Sequence, residues 1–310
     1  MTQRPHPVFD RFPALECPRE EGFLRNFLGV RTRREFHRLT EKCAAALEQS
    51  SYLTPLLPTP EGDGEGYFEW ITLLESVLQA RGRYVLVELG AGHGRVLMDG
   101  AAALRRVGGP TCHLVGVEAE PTHFQWMLQH FRDNGLDPGA HSLIEAAVSD
   151  ADGSTWFETG HAAEWYGQRI LPASSTSRGW FGRTHAKRPR YSWMNSATGE
   201  EHVYEPQPRR VRTVCLDTIL RALPHVDLLH LDVQGEEARV LCACGPQLGE
   251  KVRTVYIETH STEIEDSLRR LFGGLGWTPF YDFRQQSLNL TDYGKVYFVG
   301  GIQVWKNSRL

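Results

Sequence analysis

The chain has 310 residues, 41% hydrophobic and 23% charged, and carries a formal net charge of −4. That length suffices for one large domain or two smaller ones. The mild acidity gives no electrostatic case for a nucleic-acid footprint, though it leaves room for a local basic patch, and no apolar run approaches the roughly 18 residues that cross a bilayer.

Residues 1–82 read as an N-terminal helical extension, a lid or a dimerisation arm, with helices expected over 20–28, 34–47 and 67–80. In the last of these, Phe68, Ile71, Leu74 and Leu78 form an apolar stripe at helical spacing. The start, MTQRPHPVFDRF, holds no apolar signal core, so a cytoplasmic location is expected. The stretch PTPEGDGEG at 58–66 has the composition of a linker.

From Tyr84 the pattern changes to short apolar strands alternating with helices. Strands are expected over 84–89, 112–118, 141–148, 226–231, 252–258, 277–283 and 296–304. Helices are expected up to about 106 and over 122–134, 236–244 and 261–272. This alternation predicts an α/β fold, a mostly parallel sheet with helices on both faces and an antiparallel pair at one edge. Residues 83–310 then form one domain, interrupted by a basic, aromatic, glycine-rich insertion at about 150–212. Such an insertion belongs above the carboxyl ends of the strands, where open α/β sheets bind ligands. The six cysteines are scattered, with no CxxC pair, and are expected to be reduced structural thiols.

The strongest local signal is Val87-Glu88-Leu89-Gly90-Ala91-Gly92-His93-Gly94, a strand running into a glycine-rich turn. Glycines there let the backbone approach a ligand, and the following helix start offers free N–H groups. A dinucleotide fingerprint wants G-x-G-x-x-G, whereas this run is G-x-G-x-G with Glu88 in front. An acid at that strand end repels a pyrophosphate and suits the ammonium of S-adenosylmethionine. The next strand ends at Glu118, whose carboxylate can accept both hydroxyls of a ribose. Glu120 is its rival, and fits better as a cap of the helix after Pro121.

Taken with EAAVSD at 145–150, VRTVCLDTIL at 211–220, LLHLDVQGEEARVL at 228–241 and VYIETH at 255–260, these motifs resemble the FkbM-type family of S-adenosylmethionine-dependent methyltransferases over about residues 84–300. The resemblance implies a class I methyltransferase, Rossmann-like fold with seven strands and a reversed C-terminal hairpin. It also implies that Glu88, Gly90, Gly92 and Glu118 hold the cofactor, with Ala147 near the adenine. The acid-then-proline pattern after the second strand is altered here, the proline standing at 121.

Methyl transfer to an alcohol needs a positioned oxygen and an acceptor for its proton. His260 is the favoured general base, since an unperturbed imidazole titrates near neutrality, and Asp232 is its catalytic companion at the neighbouring strand tip. His230, two positions before Asp232 on the same side of its strand, is the substitute. Asp232 and Glu258, with Asp227 or Asp217, also offer hard oxygens for magnesium. Trp193, Asn195 and Ser196 in the insertion form a candidate mixed aromatic and polar wall for an acceptor, and Arg183, Arg188 and Arg190 could meet an anion. The expected partner is a small hydroxylated acceptor such as a sugar or secondary metabolite, with no nucleic acid or membrane, and a homodimer as the common assembly. N-methylation and a non-catalytic nucleoside-binding scaffold are the alternatives; a nicotinamide oxidoreductase fails on the glycine spacing.

Overall fold

The computed structural model describes residues 5–37, 50–163, 166–171, 191–194, 201–205 and 207–310. Seven strands make the main sheet: Tyr84–Leu89 (β1), Cys112–Glu118 (β2), Ser142–Glu145 (β3), Val226–Leu231 (β4), Val252–Thr259 (β5), Thr278–Phe283 (β6) and Gly301–Lys306 (β7). Every residue of β1 and β4 is buried, and strands apolar on both faces belong in the middle of a covered parallel sheet. The order is β3-β2-β1-β4-β5-β7-β6; β1 to β5 run parallel and β7 is antiparallel to both its neighbours. This is the seven-stranded Rossmann-like sheet with a reversed final hairpin. The order turns back between β1 and β4, so ligands are expected at the carboxyl ends of those two strands.

Two layers of helices cover the sheet: Gly66–Gln79 (α1), Arg95–Arg106 (α2) and Pro121–Asp133 (α3) on one face, Leu216–Arg221 (α4), Glu237–Ala243 (α5) and Thr262–Leu275 (α6) on the other. Alternation within the strands divides the core. Tyr84, Leu86, Leu228 and Tyr256 pack with α1, α2 and α3, while Val85, Val87, Leu229 and Val255 pack with α4, α5 and α6. The N-terminal segment shares the first of these cores through Val8, Phe9, Phe12 and Phe27. The insertion starts as a ladder: Gly153–Thr159 pairs antiparallel with Gln207–Cys215, which pairs parallel with Ala147–Ser149.

Several local expectations are corrected. The segment 20–28 is not a helix; Phe23–Arg25 pairs antiparallel with Arg31–Arg33. Gly29, at φ +84°, turns the chain, and the Asn26 side chain accepts the Leu28 and Val30 N–H groups at 3.0 and 3.1 Å. Of the segment 34–47, Arg34–Phe36 is one 3-10 turn, and 38–47 lies outside the described residues. The 58–66 linker holds a short helix, Pro60–Asp63, capped by Thr59. The strand expected over 296–304 is two: Gly294–Phe298 pairs with Ser287–Thr291 outside the main sheet, and β7 begins after Gly300.

Candidate functional site

A cavity of about 510 Å³ opens at the carboxyl ends of β1, β2, β4 and β5. Its floor is the glycine turn. Gly90 and Ala91 donate their N–H groups to the Val117 carbonyl at 3.0 and 2.9 Å, and Asp232 donates its own to Leu89 at 3.1 Å. The turn is thereby tied to the tips of both neighbouring strands. Gly90, at φ +78°, could carry no side chain: a Cβ would lie 1.9 Å from the Asp232 carbonyl oxygen.

Glu118 lines this cavity and is buried. One carboxylate oxygen accepts from Gly92 N and the other from Glu120 N, both at 2.7 Å. Burial pushes its carboxyl up to about 7, against the pull of those N–H groups. Glu120 caps α3, accepting from His123 N at 2.8 Å, as its sequence position suggested. Beside Glu118 lies an apolar slot of Ala119, Ala147, Phe157 and Ile170. Tyr166 forms its roof: the ring stacks on His123 with centroids 4.2 Å apart, covers Gly92, and donates its hydroxyl to the Phe36 carbonyl at 2.8 Å.

The other half of the cavity is polar. Register sets Glu88, His230 and Tyr256 side by side across β1, β4 and β5. Glu88 accepts the Leu97 N–H of α2 at 3.2 Å, and burial pushes its carboxyl well above the usual range. His230 stacks on Tyr256, centroids 4.8 Å apart, and its Nε2 lies 2.7 Å from Glu69 Oε1 of α1. Arg95 Nη2 reaches both Glu69 oxygens at 2.7 Å, and the Tyr52 hydroxyl donates to Oε2 at 2.6 Å. Burial opposes charge on Glu69, but Arg95 and His230 outweigh it and hold the carboxyl well below the usual range. His230 Nδ1 is buried without a hydrogen-bond partner among the described residues, a state that costs about 1–3 kcal/mol.

Asp232 and Glu258 also line the cavity. Asp232 accepts from Gln234 Nε2 at 2.7 Å and lies 3.5 Å from His260 Nε2. The opposite nitrogen, His260 Nδ1, lies 2.9 Å from Glu237 Oε1, which also accepts the Val233 and Gly235 N–H groups at 3.3 and 3.0 Å. Burial works against charge on His260, but Glu237 and Asp232 prevail and push the ring up to about 9. At neutral pH His260 is therefore an imidazolium between two carboxylates, not the near-neutral imidazole expected from sequence. The charge of Asp232, together with burial, pushes Glu258 well above the usual carboxylate range.

The cavity thus gathers Glu88, Gly90, Gly92, Glu118, Ala147, Asp232 and Glu258, all named from sequence, with His260 behind Asp232. Asp227 and Asp217 do not join it. Asp227 starts β4 at the far end, binding Val85 N at 2.8 Å and Arg253 at 2.9 Å; Asp217 pairs with Arg221 along α4. Trp193 lies on Tyr191–Met194, in register with His202; Asn195, Ser196, Arg183, Arg188 and Arg190 lie outside the described residues. The sequence reading missed Glu69, Arg95, Tyr52, Tyr166 and Glu237. Only Glu237 had a signal, as the acid two residues after the glycine that follows β4.

The family model described as Methyltransferase FkbM domain matches residues 88–294. A protein of Jannaschia sp. (strain CCS1) named "Putative methyltransferase" is 25% identical over 281 residues, 86% of each chain. Among solved structures, a methyltransferase FkbM from Methylobacillus flagellatus KT aligns at 9% identity and TM-score 0.41, over 86% of this chain and 58% of that one. A precorrin-6y C5,15-methyltransferase from Geobacter metallireducens GS-15 aligns at 9% identity and TM-score 0.39, over 77% and 87%.

Proposed function

The chain belongs to the methyltransferase FkbM family and is an S-adenosylmethionine-dependent methyltransferase; on that premise we propose that it methylates a hydroxyl group of a small molecule, a sugar or a secondary metabolite. One observation carries this: a single cavity joins Glu118 and its apolar slot to the polar strand tips around His230 and Asp232. When bound, S-adenosylmethionine supplies an electrophilic methyl group on a sulfonium. Glu118 is proposed to accept its ribose hydroxyls, Ala119, Ala147, Phe157 and Ile170 to enclose its adenine, and Glu88 to meet its ammonium. Gly90 and Gly92 let the backbone come close to it.

Asp232, clamped by His260 and Gln234, is proposed to orient the acceptor hydroxyl by accepting a hydrogen bond. His260, charged at neutral pH, fixes that carboxylate. Trp193, Asn195 and Ser196 are proposed to face the acceptor. Magnesium at Asp232 and Glu258 is the second reading, because the charge of Asp232 raises the Glu258 carboxyl and a divalent cation between the two would relieve that repulsion. We propose the cytoplasm as its location and a homodimer as its assembly.

The test is incubation with deuteromethyl S-adenosylmethionine and a panel of methyl glycosides, inositols, phenols and primary amines, read by mass spectrometry. Label on a hydroxyl oxygen supports the proposal. Label on amines alone favours N-methylation, and activity unchanged by a chelator removes the metal.

A further inference from the structure

We propose that the acceptor carries a protonated amino group near the hydroxyl it presents, as an amino sugar does, and that Glu258, Glu65 and Tyr256 hold that group; this rests on the hydroxyl-methylating reading above. The polar half of the cavity is lined by the carboxyl groups of Asp63, Glu65, Glu69, Glu88, Asp232 and Glu258. Against them, Arg95 is the one lysine or arginine of the lining among the described residues, and Glu69 and Asp99 already engage it at 2.7 and 3.4 Å. Other carboxyl groups have protein partners too. Asp63 accepts the Ser51 and Thr59 N–H groups, both at 2.9 Å. Glu88 accepts from Leu97, and Asp232 lies between Gln234 and His260. Glu258 has no hydrogen-bond or ion-pair partner among the described residues, and its oxygens remain open where it lines the cavity.

A second observation points to a ligand at the same place. Tyr256 is only 3% exposed. Its ring is pinned against His230, with centroids 4.8 Å apart and planes 5° apart, yet its hydroxyl has no partner among the described residues. The little surface that the side chain keeps includes that oxygen, and Tyr256 lies in the cavity wall. Tyr256 and Glu258 stand two apart on β5 and so project to one face. Glu65, at the start of α1, completes the wall: its Oε2 accepts the Val299 and Gly300 N–H groups at 3.1 and 3.2 Å. Gly300 also meets Glu258, since a Cβ there would lie 3.2 Å from Glu258 Oε1. The other Glu65 oxygen, the Glu258 carboxylate and the Tyr256 hydroxyl oxygen are acceptors for the three N–H bonds of an ammonium. Its charge answers the Glu258 carboxyl, which no cation of the described protein pairs with; a neutral polyol would leave that carboxyl unmatched. Adjacent strands lie about 4.8 Å apart, so the ammonium at β5 sits a few bonds from the hydroxyl that Asp232 orients at the tip of β4.

The test compares matched acceptors with deuteromethyl S-adenosylmethionine at pH 7, with and without magnesium: methyl glycosides and inositols, their amino-deoxy counterparts, and the N-acetylated forms of those amines. In wild type, kcat/KM is expected to be about 100-fold higher for the amino form than for either neutral form, with the label on oxygen. Glu258→Gln is expected to bring that ratio close to one. Tyr256→Phe is expected to raise KM for the amino form about tenfold. Both variants are expected to bind S-adenosylmethionine as tightly as wild type, which shows that they are folded. Neutral forms turned over as well as the amino form overturn the proposal, and so does a preference that survives in Glu258→Gln. Turnover of neutral forms that depends on magnesium overturns it as well, because the carboxyl groups then serve an ion. S-adenosylmethionine binding with label on no oxygen of any acceptor overturns the parent reading instead.

Discussion

Lowering the pH should weaken S-adenosylmethionine binding along the titration of Glu118. Its two oxygens already accept the Gly92 and Glu120 N–H groups, both at 2.7 Å, and burial pushes its carboxyl up to about 7. Accepting two ribose hydroxyls as well requires the ionised form. With a free-protein pKa of about 7, the apparent Kd rises about 11-fold between alkaline pH and pH 6, and about 100-fold by pH 5. The linked stability effect has a definite sign. The folded pKa lies above the ordinary carboxyl value of 4.5, so Glu118 contributes stability that is full below pH 4.5 and is lost as pH rises through about 7. The rise is worth about 3 kcal/mol to the ligand-free fold. Hydroxyl donors from the ligand return part of it. Calorimetric titrations from pH 5 to 8, in two buffers of different ionisation enthalpy, should show uptake of the ligand coupled to release of up to one proton at the acid end. Glu118→Gln should bind weakly at every pH and flatten the dependence. A constant Kd across this range, or a slope that survives in Glu118→Gln, would refute the assignment.

Gly90→Ala should destabilise the fold by about 3 kcal/mol, combining left-handed strain with overpacking, because its Cβ would meet backbone 1.9 Å away that two strand tips hold in place. A denaturant melt coincident with wild type would contradict this. Glu237→Gln should remove stability that His260 supplies. That ring is raised from 6.5 to about 9, so its contribution is full below pH 6.5 and fades as pH passes about 9, and it amounts to about 3 kcal/mol. Melts of the two proteins should therefore converge toward pH 10, and a gap independent of pH would count against the imidazolium clamp. Tyr166→Ala should speed S-adenosylmethionine dissociation by about tenfold, the equivalent of roughly 1.4 kcal/mol of lost roof contact, seen by stopped-flow fluorescence; an unchanged off-rate would show that the roof does not cover the ligand.

The central sheet could be read from the sequence because buried parallel strands are short, continuous apolar runs, and glycine or an acid marks where they stop. β1, β2 and β4 begin and end where the apolar runs do. Choosing Glu118 over Glu120 needed only the strand end and the proline that starts α3. What could not be read depends on neighbours far along the chain. Glu69 sits between Phe68 and Trp70 in α1, and nothing local distinguishes it from a solvated acid; Arg95, Tyr52 and His230 give it meaning, the last 161 residues away. Tyr166 gains its place from Phe36, 130 residues earlier. His260 looked like a neutral base because an unperturbed imidazole titrates near neutrality, while its two carboxylate partners come from the turn and helix after β4. Asp227 was grouped with the strand tips although it stands at the start of its strand, a height that the strand boundaries already imply.

The central claim is that this cavity holds S-adenosylmethionine, and the most direct test is calorimetric titration of the purified chain with S-adenosylmethionine and, separately, with NAD. Saturable one-to-one binding of the first, lost in Glu118→Gln, with no binding of the second, is the expected result. Folded protein that binds NAD, or that binds neither, would contradict the claim and return Glu88, Glu118 and the glycine turn to structural roles.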